Sequence, residues 1–256
     1  MPQLRIPESD EDRREVLHKT MITGQQDAAA TPPRAYLEGG RVQEVINFFN
    51  DTNDPVTGDP IVGFNNLVTR LKAKRAARSI EVGQSDAAEA VLETYVRDFW
   101  EVVKRRTFRL KHPVSVLNFF DLPQDGSVPV MSSRADRRIW ARKVIEGETA
   151  AVAAGFPPMG QPTAAEVQQK LATAETEEMQ ITPADREVEE ALTAVRTQRA
   201  RANELIDDIV GDLRHKTRKL PAGSARDIMR SYGWQFDFLE GETPDPVTPP
   251  PAPPPA

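Results

Sequence analysis

Cysteine is absent from the 256 residues, which excludes disulfides, thiolate zinc sites and cysteine nucleophiles and leaves the redox compartment undetermined. Long apolar runs are missing as well: no stretch of about 18 uncharged apolar residues occurs, so no helix is expected to cross a bilayer. The opening Met1-Pro2-Gln3-Leu4-Arg5-Ile6-Pro7-Glu8-Ser9-Asp10 lacks the apolar core of a secretory signal. The default expectation is a cytoplasmic protein, with extracellular assembly by non-classical export or lysis left open.

Chemistry-bearing motifs are scarce. Histidine occurs at His18, His112 and His215, with no His-x-x-x-His pair to bring ligands together. A di-iron bundle needs inward carboxylates on facing helices, whereas the acidic residues here are read as falling mainly at helix caps and outer faces. No metal site and no cofactor are expected. Gly-x-x-x-x-Gly-Lys, Gly-x-Gly-x-x-Gly and Gly-x-Ser-x-Gly are all missing, which removes phosphate loops and the serine elbow. The neighbouring carboxylates Glu177-Glu178 and Asp207-Asp208 point in different directions on a helix and make no acid–base pair. Asp51 to Asp59 supplies oxygen ligands in a loop, but proline at its fifth position and a misplaced glycine spoil a calcium loop, so an Asx-rich turn is the reading. No catalytic residue and no small-molecule substrate are evident.

Net charge is -6 with a pI near 5.3, so no global field draws nucleic acid. Two basic runs stand out, Arg70, Lys72, Lys74, Arg75 and Arg78, then Lys104, Arg105, Arg106, Arg109 and Lys111. Both lie toward the C-terminal ends of predicted helices, where cations complement the macrodipole, and a solvated helix end is preferred to a phosphate-binding patch.

What the sequence does have is helical periodicity. From Thr182-Pro183-Ala184-Asp185 to Pro221 no further proline intervenes, and Val188, Leu192, Val195, Ala202, Ile206, Ile209, Leu213 and Leu220 recur at steps of three and four. That is a rod of about 55 Å that needs a partner. Its stripe has one fault, Arg199, read as a guanidinium reaching water along its stem, with a register-fixing role as the alternative.

Ser9-Asp10-Glu11-Asp12 caps a first helix to about Ile22, ended by Gly24. A short helix uses Val42, Val45, Ile46 and Phe49. Phe64, Leu67, Val68, Leu71 and Ile80 form the face of a helix ending near Gly83, where a hairpin turn is expected. Ser85-Asp86 then starts a helix carrying Leu92, Tyr95, Val96, Phe99, Trp100 and Val103, which stops before His112-Pro113. One or two turns are expected over Ser115–Phe120. Ser133 caps a helix through Ile139, Trp140, Val144 and Ile145. Thr163-Ala164-Ala165-Glu166 is a capping box opening a helix with Val167, Leu171 and Ala174; a turn is expected near Gln180. Offset by 110 positions, Tyr95, Val96, Phe99, Trp100 and Val103 fall on Leu205, Ile206, Ile209, Val210 and Leu213, a pattern open to both duplication and coincidence.

The strongest interaction signal is Tyr232, Trp234, Phe236 and Phe238, whose alternation places four rings on one side of an extended segment. They are read as a protein interface, with a strap over the bundle's own end as the alternative. Of the 22 prolines, eight lie from Pro244 to Pro255, making Thr243–Ala256 a polyproline segment expected to act as a spacer; its PxxP match, Pro246-Val247-Thr248-Pro249, is unspecific.

Asn118-Phe119-Phe120-Asp121-Leu122-Pro123, Trp140 to Gly147-Glu148 and Gly155-Phe156-Pro157-Pro158-Met159 resemble a broad group of uncharacterised bacterial all-helical proteins, in which two helical hairpins precede a proline-rich stretch or fibronectin-like module. The resemblance covers most of residues 1–240 and implies a fold without implying an activity.

The sequence therefore predicts an all-α protein: an elongated antiparallel four-helix-type bundle of two helical hairpins, with extra short helices and an extended C-terminal tail. Short helices and loops are expected over 1–60, the bundle over 61–240 and the proline-rich tail over 241–256. The hairpins should span about 61–110 and 163–220, with a connecting helix at about 134–153. The expected role is a structural or protein-interaction component, self-associating into a homo-oligomer, with no membrane and no enzyme activity. The alternatives are an enzyme with a dispersed site and a nucleic-acid-associated module using 70–78 and 104–111.

Overall fold

Ser9, Ser133 and Thr163 start helices by one device: each side chain accepts the amide of the residue three positions on, whose carboxylate accepts the cap's own amide. The computed structural model describes residues 2–238. The fold is all-α, with α1 (Asp10–Ala29), α2 (Arg41–Phe49), α3 (Phe64–Arg109), α4 (Arg134–Ala153), α5 (Ala164–Thr217), α6 (Ala222–Ser231) and a 3₁₀ helix at Val114–Phe120. Strand is confined among the described residues to two short antiparallel pairs. β1 (Gln3–Arg5) pairs β4 (Gln235–Asp237) with Leu4 opposite Phe236, and β2 (Thr52–Asn53) pairs β3 (Pro60–Ile61) with Thr52 opposite Ile61. The proline-rich segment 243–256 lies outside the described residues.

The chain forms two compact units, one made of residues up to Ala73 and from Glu190 onward, the other of Lys74–Glu189. α3 and α5 run through the boundary, so each unit holds one end of each. In the second unit Leu92, Val96, Phe99, Trp100 and Val103 of α3 meet Val116, Leu117 and Phe120 of the 3₁₀ helix, Val144 of α4 and Val167 and Leu171 of α5 in one buried cluster. Burying each such side chain contributes about 1.5–3 kcal/mol before entropy is counted. Gly147 lets α4 approach the 3₁₀ helix, since a Cβ there would stand 2.5 Å from the Phe119 carbonyl oxygen. Lys74 pairs with Glu187 and Arg78 with Asp185, and Arg138 joins Glu89 to Glu178. Residue numbers fall along α5 as they rise along α3, so these two helices are antiparallel within the unit.

In the first unit α1, α2, α6 and the ends of α3 and α5 bury Leu17, Val45, Phe49, Phe64, Leu205, Ile209 and Leu213. Arg199, the fault in the α5 stripe, does not reach water alone: its Nε and a terminal nitrogen grip both oxygens of Asp10 at 2.9 and 2.8 Å, fastening the first turn of α1 to α5.

Several expected breaks are absent. α3 continues through Gly83 and Ser85-Asp86, because one helical glycine costs only about 1 kcal/mol against alanine and a long helix absorbs it. α5 continues through Gln180 and holds Pro183 inside; one lost backbone hydrogen bond does not outweigh packing on either side. The two hairpin turns near Gly83 and Gln180 are therefore corrected to unbroken helices. Gly24 does not end α1, which extends to Ala29; its missing side chain makes room for α2, since a Cβ would lie 2.6 Å from Val42 Cγ2. Ile80 and Leu220, placed on apolar faces by periodicity, are 59% and 40% exposed. Among the mainly outward acidic residues, Asp27, Glu89, Glu148 and Asp212 are buried.

Candidate functional site

The aromatic segment folds onto its own unit. α6 ends at Ser231, and Gly233 takes a left-handed φ of 97° that turns the chain into β4. The same glycine touches α1 so closely that a Cβ would lie 3.1 Å from Lys19 Cβ. Thr20 Oγ1 donates to the Tyr232 carbonyl at 3.3 Å and Thr23 Oγ1 to the Ser231 carbonyl at 2.7 Å. The Tyr232 hydroxyl donates to Asp27 Oδ2 at 2.6 Å. Burial first, and then the Asp27 carboxylate, push the phenol pKa far above its usual value.

Tyr232 and Trp234 are 1% and 2% exposed, so both rings contribute to the strap. Only 235–237 is strand, and Tyr232 sits in the turn before it, so the four rings do not form one extended row. Phe236 and Phe238 are half-buried, with the Arg230 guanidinium 5.5 and 5.9 Å from their ring centres.

The basic runs lie on the single helix α3 except for Lys111, in the turn just beyond it, with residues 79–103 between them. Lys74 and Arg78 are paired with α5 carboxylates, Lys104 with Glu101, and Arg106 donates to the Pro158 carbonyl at 3.0 Å. His18 stacks on Phe49 at 5.5 Å, and His112 meets Phe156 edge-on at 5.4 Å. Among the described residues no group of three His, Asp or Glu converges as a metal site.

In the second unit Arg106, Thr107, His112 and Glu148 line a cavity of about 20 Å³, the room of one water molecule. Its Glu148 Oε1 accepts the Met159 amide at 2.5 Å, and the His112 Nε2 is buried without a partner.

In the first unit a groove of about 450 Å³ is lined by Phe48, Pro55, Ile61, Val62, Phe64 and Gln198 among others. The β2–β3 hairpin forms its wall. The Asp54 carboxylate accepts the Val56 and Thr57 amides at 2.7 and 3.1 Å, an Asx turn, and these bonds hold its pKa below the usual range. The Gly58 amide donates to the Asp54 carbonyl at 2.8 Å. Asp51 binds the Gly63 amide at 2.8 Å and Asn66 of α3 at 3.0 Å, anchoring the hairpin's base. Thus the oxygen-rich loop read as an Asx turn is one, and its Asp51 and Asp54 carboxylates bind backbone amides. Val56, at the tip, is 91% exposed, and Ile61 and Val62 are 44% and 43% exposed. Periodicity could not mark this groove, since the residues that build it come from α2, the hairpin, the first residue of α3 and Gln198 of α5. A cluster of Val, Ile and Pro between turn residues was the available signal.

No protein-family model, curated protein or solved structure matches the chain.

Proposed function

We propose that this chain is a structural or protein-interaction component that associates with further copies of itself. The observation that carries the reading is the β2–β3 hairpin, a braced turn that holds Val56, Ile61 and Val62 in solvent beside a groove of mixed apolar and polar lining. Water gains nothing from such side chains, and apolar residues gathered around a hollow are the kind of surface that proteins cover with one another. The small hollow beside His112 and Glu148, in contrast, has room for a water molecule and none for a substrate. Phe236 and Phe238, half-buried beside Arg230, are a further contact surface in the same reading. Sedimentation velocity of the intact chain over a dilution series is the test: a concentration-dependent oligomer is expected, and a monomer at every concentration refutes the proposal.

A further inference from the structure

We infer that the hairpin and its groove form a self-complementary interface, in which Val56 of one copy enters the groove of a second copy and is answered by the same contact in return. The inference rests on the self-association proposed above and names the surface that produces it. A two-fold contact requires one patch to carry both halves of each interaction, and this face does. The apolar peg is Val56, 91% exposed at the tip of a turn whose amides are held by Asp54. The socket, about 450 Å³, lies beside it, with Phe48, Ile61 and Val62 as its apolar lining and Glu44, Asn47 and Gln198 among its polar lining.

Charge repeats the pattern. The segment 50–63 carries Asp51, Asp54 and Asp59 and no cation, whereas 64–73 carries Arg70 and Lys72 and no anion. Asp51 and Asp54 are engaged by the hairpin's own amides. The exposed Asp59 carboxylate and the exposed Arg70 guanidinium have no partner within the described residues. Arg70 lies one turn beyond Asn66, the residue that holds the hairpin to α3 through Asp51. Peg and anion thus belong to the hairpin that walls the socket, and the cation stands one helical turn from the residue that anchors that hairpin, so a second copy turned through two-fold symmetry offers each of them its opposite. A partner of different sequence would need to reproduce both halves of this pattern, which a second copy has already.

The native chain lacks cysteine, so a cross-link can be placed without background. Val56→Cys with Gln198→Cys, oxidised mildly and run without reductant, should give a covalent dimer, whereas the single variants give less or none. In sedimentation, Val56→Asp should weaken association at least tenfold. Arg70→Glu and Asp59→Lys should each weaken it, and the two together should restore it. Wild-type oligomers unaffected by Val56→Asp, or a cross-link that closes only within one chain, overturn this interface while leaving self-association standing. A wild-type chain that is monomeric throughout overturns both. Helical circular dichroism of each variant separates lost association from lost folding.

Discussion

Replacing Tyr232 by phenylalanine removes one oxygen atom and leaves the ring's packing in place. The oxygen donates to Asp27 at 2.6 Å, and Asp27 is 8% exposed in the last turns of α1. A carboxylate at the C-terminal end of a helix opposes the macrodipole. A cation within reach, Arg34, stands 3.9 Å away with its side chain 64% exposed, and such a pair contributes little. The phenol is thus the main compensation for a buried charge. A hydrogen bond to a charged group contributes about 1.5–3 kcal/mol, so Tyr232→Phe should destabilise the fold by about 2 kcal/mol. For a chain of this size that lowers Tm by about 4–8 °C. Urea unfolding followed by tryptophan fluorescence measures the loss, and a double-mutant cycle with Asp27→Ala should return a coupling of about 1–2 kcal/mol. Because the folded phenol pKa is raised, the contribution is complete below about pH 10 and is lost as the pH climbs through the folded value. A Tyr232→Phe protein within about 0.5 kcal/mol of wild type would refute the reasoning.

Other perturbations test the helices and their charges. Gly83→Ala meets no atom within 4 Å of its new Cβ and should stabilise by about 0.5–1 kcal/mol, read as a higher urea midpoint; Pro183→Ala, exposed inside α5, should add about 1–3 kcal/mol by restoring a helical amide. No gain from either would mean that the helices break in solution. Arg138 binds the fully buried Glu89 at 2.5 Å, so Arg138→Leu should cost about 3–5 kcal/mol in denaturant unfolding by stranding that carboxylate; a loss under about 1 kcal/mol contradicts the pairing. Asp12, Asp136 and Glu166 have lowered pKa values, chiefly through hydrogen bonds from Ser9, from Ser133 and from the Thr163 amide. Their stabilisation is full above the unfolded values near pH 4 and is lost as pH falls through the lower folded values, so Tm should decline below about pH 5. Removing the caps as Ser9→Ala with Ser133→Ala should flatten that decline, and an unchanged slope counts against it.

Much of the helical framework was readable because it is local. Leu92, Val96, Phe99, Trp100 and Val103 recur at helical spacing and all are buried. Ser133 and Thr163 announce their helices through a side chain three residues away. Gly83 and Pro183 misled because a punctuating residue states a local preference of about 1–3 kcal/mol, and the decision belongs to packing on both sides of it. The site was harder still. Asp27 and Tyr232 meet across nearly the whole described chain, and neither residue's neighbours signal the other. The groove draws on α2, the hairpin and Gln198, a combination that no periodicity contains. Arg199 was visible as an irregularity, but its partner Asp10 was hidden behind its role near a helix cap.

The arrangement of the units also fixes an order of events on the ribosome. Residues 74–189 are contiguous, whereas the other unit is interrupted by them, so its N-terminal part must wait for Glu190 and beyond to emerge. At about 5–20 residues per second, that interval is roughly 6–23 s, during which the greasy sides of α1 and α2 have no finished core to enter. β1 waits longest, because its strand partner is Gln235–Asp237. The nascent chain is consequently most exposed to premature association while its inserted unit is already able to fold.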